Sequence, residues 1–233
     1  MKRLFQPTAL SEVSDAIIEC RKCSRLVEYR ERIAREKRRM YQDEVYWGRP
    51  IPGFGDPKAR ILVIGLAPAA HGGNRTGRMF TGDRSGDFLF NALFQTGFAN
   101  QPTSISRNDG LELRDIYISA AIRCAPPNNR PTPGEIETCK PYLQYEFDLL
   151  SNIQVLIGLG AIGFRSAREL IWPRLKTALA PRPKFGHNVR YQLDAWCLLG
   201  AYHPSQQNTQ TGRLTFEMFV AVFERARAEL NRR

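Results

Sequence analysis

The sequence predicts an α/β protein of three layers: a central, mostly parallel sheet of four strands with helices on both faces. Three observations predict it. Short apolar, β-branched stretches recur at 61–65, 113–122, 153–159 and 195–202, with the length of strands buried on both faces. Each gives way to a segment of helical periodicity, the alternation that produces parallel strands joined by crossovers. The chain of 233 residues, 42% hydrophobic and 24% charged, is large enough for one substantial core, so a single domain over residues 1–233 is expected.

Taken in order, residues 1–15 read as a short lead-in, and 16–40 as a highly charged helix or pair of helices that begins with Cys20 and Cys23. Leu26, Ile33 and Met40 fall seven apart and make an apolar stripe among the arginines. The run REKRR at 35–39 reads as an exposed face. A turn-rich segment, GRPIPGFGDPK at 48–58, leads into the first strand, ILVIG at 61–65. After it comes a polar loop carrying His71, Asn74, Arg75, Arg78 and Asp83, then a helix with Ser85 as its N-cap and Phe88, Leu89, Ala92 and Leu93 as its apolar face. The second strand, at 113–122, runs into the rigid segment APPNNRPTP, and a helix at 132–150 is entered through Thr-Pro with Glu135 and Glu137 in its first turns.

The third strand, at 153–159, ends in GLGAIG, formally a dinucleotide-binding pattern. That pattern needs an acidic residue about 20 positions on to hold a ribose. Here the chain offers PRPKFGH at 181–187, so the glycines are read as a tight strand-to-helix turn. The fourth strand, at 195–202, ends at His203-Pro204-Ser205, and an amphipathic helix at 214–230 closes the chain. In open α/β sheets ligands bind at the carboxyl ends of the strands. The loops after the first, second and fourth strands would therefore gather Asp83, Asn129 and His203 at one edge.

A formal net charge of +11 makes a polyanion, nucleic acid first, the expected partner, with a solvated basic surface as the bland alternative. No run approaches the ~18 apolar residues of a membrane span, and the N-terminus lacks an apolar signal core. A soluble, cytoplasmic, intracellular protein with no membrane partner is expected. Five cysteines in such a chain do not suggest disulfides. Cys20-x2-Cys23 and Cys124-x14-Cys139 supply four thiolates in two sets, whereas Cys197 sits inside an apolar strand and reads as a buried spectator. Spacing alone leaves zinc and an iron–sulfur cluster both open, with zinc the ordinary choice.

Three stretches, GLAPAAHGGNRTGRMFTGD at 65–83, RCAPPNNRPTP at 123–133 and YHPSQQNTQTGRLT at 202–215, together with the four cysteines, resemble the uracil-DNA glycosylase superfamily. The likeness is to its iron–sulfur branch, family 5 or type b, and runs over nearly the whole chain. It implies the uracil-DNA glycosylase-like fold, a monofunctional glycosylase of base excision repair, and a [4Fe–4S] cluster on Cys20, Cys23, Cys124 and Cys139 that ties in the N-terminal helical segment. Other branches place a carboxylate or amide just after the first motif's proline and an asparagine in the second strand. Here Ala69, Ala70 and the pair Ala120-Ala121 stand in those places. Strict uracil specificity is then not expected, and the branch is known for accepting other deaminated bases such as hypoxanthine and xanthine.

On that reading His203 donates to the developing base oxyanion, Asp83 orients the attacking water, and Asn129 bonds the base or the water. Each has a bland alternative: a structural histidine, a helix cap, a turn asparagine. Phe80 stacks on the flipped base or packs in the core, and the backbone at Gly65, Ala67 and Ala69 approaches the base closely. Ser205, Gln206, Gln207, Asn208 and Arg213 belong to the loop expected in the minor groove, with Arg75, Arg78 and Arg213 as phosphate ligands. The partner is double-stranded DNA with a damaged base, or single-stranded DNA, bound by a monomer. A non-catalytic metal-containing nucleic-acid-binding protein is the competing class, and a nicotinamide enzyme built on 158–163 a third.

Overall fold

The computed structural model describes residues 5–176 and 181–232, so the first four residues of the lead-in lie outside the described residues. Its centre is one six-stranded sheet in the order β1-β3-β2-β4-β6-β5: β1 (Phe54–Gly55), β2 (Ile61–Gly65), β3 (Ile116–Ala120), β4 (Val155–Leu159), β5 (Arg190–Leu193) and β6 (Trp196–Ala201). The inner four, β3-β2-β4-β6, are parallel and are the four that the apolar runs predict. At each edge a short antiparallel strand is added, β1 on β3 and β5 on β6. Neither is visible in the sequence, because two residues in a turn-rich stretch and four mostly polar ones carry no apolar run.

Eight α-helices appear among the described residues: α1 (Leu10–Ile18), α2 (Ser24–Glu36), α3 (Gly73–Thr76), α4 (Arg84–Gln95), α5 (Pro133–Leu149), α6 (Gly160–Ile171), α7 (Gln206–Gln210) and α8 (Phe216–Asn231). Alternation along each strand divides the core. Ile61, Val63, Ile116, Ile118, Val155, Ile157 and Leu199 point to the face covered by α4 and α8. Leu62, Ile64, Tyr117, Leu156 and Leu198 point to the face covered by α5 and α6. Both faces of every inner strand are thereby dry, which is why these runs read as continuously apolar. Cys197 is 1% exposed within the first of these clusters.

Two local differences from the sequence reading have physical causes. Residues 16–40 take the two-helix alternative, with α1 ending at Ile18 and α2 starting at Ser24, but the chain turns at Lys37 (φ 54). Met40 thus leaves the apolar stripe and stands exposed on a 3-10 turn, Arg39–Tyr41. Asp83, not Ser85, caps α4, its Oδ1 accepting from Gly86 N at 3.0 Å. A carboxylate there answers both the unpaired N–H and the helix dipole.

The Thr-Pro entry to α5 is a full capping box, with Glu135 N donating to Thr132 Oγ1 (3.2 Å) and Thr132 N to Glu135 Oε2 (2.7 Å). In GLGAIG the glycines are packing devices. A Cβ at Gly158 would lie 2.2 Å from the Phe164 Cα, and one at Gly163 would lie 2.3 Å from the Ile64 oxygen. No described helix is long and apolar enough to cross a membrane.

Candidate active site

The loops that leave β2, β3 and β6 all start at the carboxyl edge of the parallel strands, and between them lies an open hollow of about 650 Å3. Asp83, Asn128, Asn129 and His203 line it, with Phe80, Leu66, Ala67 and Ala69 on the apolar side and Arg84, Arg130, Ser205, Gln206 and Gln207 around it. Residues 120 positions apart in the chain, Asp83 and His203, therefore face one cavity. The expected alanines, Ala67 and Ala69, are part of its wall, so that stretch of wall presents backbone and methyl groups but no polar side chain.

Local sequence explains each placement. His203 follows β6 directly, and its carbonyl accepts from Asn208 Nδ2 at 2.8 Å. Asn208 N is bonded in turn to Ser205 Oγ, so Asn208 works as an internal brace of the turn into α7. One N–H of its side-chain amide is thereby held by the protein. Burial pushes the His203 imidazole down to about 4, so the ring is neutral at physiological pH. No side-chain hydrogen bond to the ring occurs among the described residues. Burial raises the Asp83 carboxyl above the ordinary range, opposed by the hydrogen bond from Gly86. Gly72 makes room for that carboxylate, since a Cβ there would stand 2.0 Å from Asp83 Oδ2.

Phe80 holds a left-handed backbone (φ 52), unusual for an aromatic residue, and its ring lies 5.7 Å from that of His203 at 30°. Gly65 does not reach the hollow; it backs Phe80, whose Cζ would lie 2.9 Å from a Cβ on Gly65. Asn128 and Asn129 are consecutive left-handed residues (φ 53 and 54), which asparagine tolerates better than most, and both line the hollow.

The structure corrects two of the expected phosphate ligands. Arg75 is 9% exposed: it donates to the His71 and Gly82 carbonyls (2.8 and 2.9 Å), pairs with Glu44 (2.5 Å) and stacks on Tyr41 at 3.9 Å. Arg78 is 6% exposed and is held by Asp109 (2.7 Å), Ser104 Oγ (2.8 Å) and Thr81 Oγ1 (3.0 Å). Their charge is consumed inside the loop. Arg213 remains exposed, packed over Tyr202 at 4.7 Å. Arg84 and Arg130, which the sequence reading passed over, stand exposed at the hollow with no ion pair among the described residues. Each is the immediate successor of a candidate site residue, Asp83 or Asn129, and that adjacency was the available signal.

Of the histidines without an expected role, His71 Nδ1 meets the Tyr46 hydroxyl at 3.1 Å. His187 Nδ1 accepts from Tyr202 N (3.1 Å) while Nε2 donates to the Met218 carbonyl (3.2 Å).

Cys20, Cys23, Cys124 and Cys139 line a second, small apolar hollow between α2 and the start of α5. Among the described residues no set of three or more His, Cys, Asp or Glu side chains is arranged to hold a single metal ion. The hollow is nevertheless built for something anionic. Arg30, 2% exposed, donates to Cys124 Sγ at 2.9 Å and leaves its Nε without a partner. Arg123, 1% exposed, leaves Nε and Nη1 without partners. Burial raises the Cys124 and Cys139 thiols to about 11 and about 12, a cost that thiolates bound to iron or zinc would not meet in the same way. Two buried guanidiniums with unspent donors beside four thiols fit a negatively charged, multi-atom group better than four protonated thiols.

The family model of the uracil DNA glycosylase superfamily matches residues 52–227. Curated relatives include a type-5 uracil-DNA glycosylase of Mycobacterium tuberculosis, 49% identical over 221 residues (94% of this chain, 81% of the relative). Another, from Thermus thermophilus, is 47% identical over 209 residues (89% and 92%). A third, from Pyrobaculum aerophilum, is 44% identical over 213 residues (91% and 90%).

Proposed function

Because the chain belongs to the uracil DNA glycosylase superfamily, in its type-5 branch, we propose that it hydrolyses the N-glycosidic bond of uracil flipped out of DNA, leaving an abasic site. The observation that carries the reading is the convergence of Asp83, Asn129 and His203, from three distant loops, on one hollow with Phe80 in its wall. In the reaction the bond between C1′ and the base nitrogen breaks with its electron pair going to the base, and the oxygen of water bonds C1′. A neutral His203 N–H bonds the base oxygen as negative charge gathers there. Asp83 orients the water, offsets positive charge on the sugar and takes up the water's proton, which then passes through solvent to the departed base anion and leaves the carboxylate ionised again. Asn129 fixes base or water, and Phe80 stacks on the base.

The partner is duplex DNA bound by a monomer, with Arg84, Arg130 and Arg213 as phosphate ligands and Gln206 and Gln207 at the stack. Cys20, Cys23, Cys124 and Cys139 hold a [4Fe–4S] cluster, which ties α2 to the segment after β3 and has a structural part. At Ala67 and Ala69 the wall carries methyl groups and no polar side chain that would reject a larger deaminated base, which supports release of hypoxanthine and xanthine as well.

Incubation with duplexes carrying one uracil, hypoxanthine or xanthine, followed by alkali, is expected to cleave each at the lesion. An intact uracil strand at stoichiometric enzyme would overturn the assignment. Single-turnover rates against pH are expected to show an acid limb: Asp83 must be ionised, so the rate falls as pH drops through its raised pKa. His203 stays neutral down to about 4 and sets no limb above that. A rate that rises as pH falls from 7 to 5 would reverse the assignment of Asp83 as the ionised partner.

A further inference from the structure

Extruding a base from a duplex costs a few kcal/mol of stacking and pairing, and proteins that open a stack commonly insert an apolar side chain. The segment after His203 offers none: it folds as α7, whose exposed residues at the hollow are Gln206 and Gln207. Among the described residues five large hydrophobic side chains stand exposed, and two of them, Met40 (66%) and Ile105 (67%), line one further hollow of about 750 Å3. It abuts the base hollow and shares with it Ala69, Asp83, Arg84, Asn128, Asn129 and Gln206.

Isolated exposed hydrophobes are common on surfaces and mean little alone. These two differ in that the segments bearing them are fastened to the loop that ends at Asp83. Ile105 follows Ser104, which is buried, accepts Gly82 N on its carbonyl (2.9 Å) and shares a hydroxyl contact with Thr81 (2.7 Å). Ile105 N donates to Asp109 Oδ2 (2.7 Å), and the same carboxylate is clamped by Arg78. Met40 sits on the turn whose Tyr41 ring lies on the Arg75 guanidinium, and Arg75 grips the Gly82 carbonyl. Arg75 thus holds the Gly82 carbonyl, next to Asp83, and packs on the neighbour of Met40, while Arg78 holds Ser104 and Asp109, which fix the backbone on either side of Ile105. Around these two side chains Arg38, Arg39 and Arg84 are exposed and form no ion pair among the described residues, a charge pattern suited to a phosphate backbone.

We propose that Met40 and Ile105 are the side chains that enter the base stack of duplex DNA beside the extruded nucleotide, and that Arg75 and Arg78 serve to hold them there. The inference rests on the glycosylase reading and supplies the apolar wedge that the segment after His203 lacks. It predicts a requirement for these residues in duplex and not in single strands, where there is no pair to part.

The test uses the full-length protein with Met40→Ala and Ile105→Ala combined, and the conservative pair Met40→Leu with Ile105→Leu. The double alanine variant is expected to release uracil from a duplex about tenfold or more slowly, yet from a single strand at a rate within about twofold of the parent. The leucine pair keeps most of the duplex rate. A second readout needs no catalysis: 2-aminopurine placed beside a 2′-fluoro-uridine that resists cleavage brightens when the stack is opened, and the alanine pair is expected to lose that rise. Equal loss on both DNA forms, or an unchanged duplex rate and fluorescence, would overturn the wedge. A parent protein that brightens 2-aminopurine through Met40 and Ile105 but releases no base would support the wedge and overturn the glycosylase reading.

Discussion

Asp83→Asn is expected to lower the single-turnover rate of uracil release by about 10²- to 10⁴-fold, the range for losing a positioned acid–base group, while leaving the melting temperature almost unchanged. The two effects separate because Asp83 has two tasks. Its Oδ1 caps α4, and asparagine caps a helix about as well as aspartate, so the bond from Gly86 N survives. What goes is the negative charge beside the sugar. The carboxylate is kept near Gly72 in a place where any side chain on residue 72 would collide with it, so the substitution preserves shape and removes only ionisation. The acid limb of the rate profile should vanish in the same variant. Stopped-flow or quench measurements alongside thermal unfolding decide the matter, and a rate within a factor of five of the parent would leave Asp83 as a helix cap alone.

That dual task also shows where sequence reading reaches and where it stops. Ile61–Gly65, Ile116–Ala120, Val155–Leu159 and Trp196–Ala201 were legible because a strand buried on both faces must be apolar throughout, and no tertiary knowledge is needed to see that. Phe54–Gly55 and Arg190–Leu193 were not, since edge strands are held by hydrogen bonds to a neighbour and leave little mark on composition. At the hollow, the rule that ligands gather at the carboxyl edge was enough to bring Asp83, Asn129 and His203 together.

The arginines were harder. Arg75 and Arg78 lie in a polar loop and look like surface charge, but their partners Glu44 and Asp109 are about 30 residues away, and only folding reveals that the charges are spent. Ile105 was invisible for the converse reason. A lone isoleucine in the polar stretch 101–110 has no periodicity, and its significance comes from being fastened next to Gly82.

The buried pair Arg123–Glu146 is where the largest loss of stability is expected. Glu146, 1% exposed on α5, accepts from Arg123 Nη2 (2.5 Å), Ser119 Oγ (2.7 Å) and Gly53 N (3.0 Å), joining α5 to β3 and to the turn before β1. Glu146→Leu strands a guanidinium in the interior and leaves two further donors unmet. Removing one partner of such a pair costs about 3–5 kcal/mol, which in a chain of this size lowers the melting temperature by roughly 6–20 °C. If the cost were simply that of an orphaned cation, adding Arg123→Met would restore most of the loss, because well-packed apolar replacements of buried pairs are often neutral.

Arg123 also lines the cysteine hollow, where its Nε and Nη1 have no protein partner. The double variant is therefore expected to recover its melting temperature only in part and to carry less iron per chain than the parent, measured by colorimetric iron assay beside thermal unfolding. Full recovery of both would mean that Arg123 serves Glu146 alone; recovery of neither would mean that the guanidinium of Arg123 contributes packing that methionine does not replace.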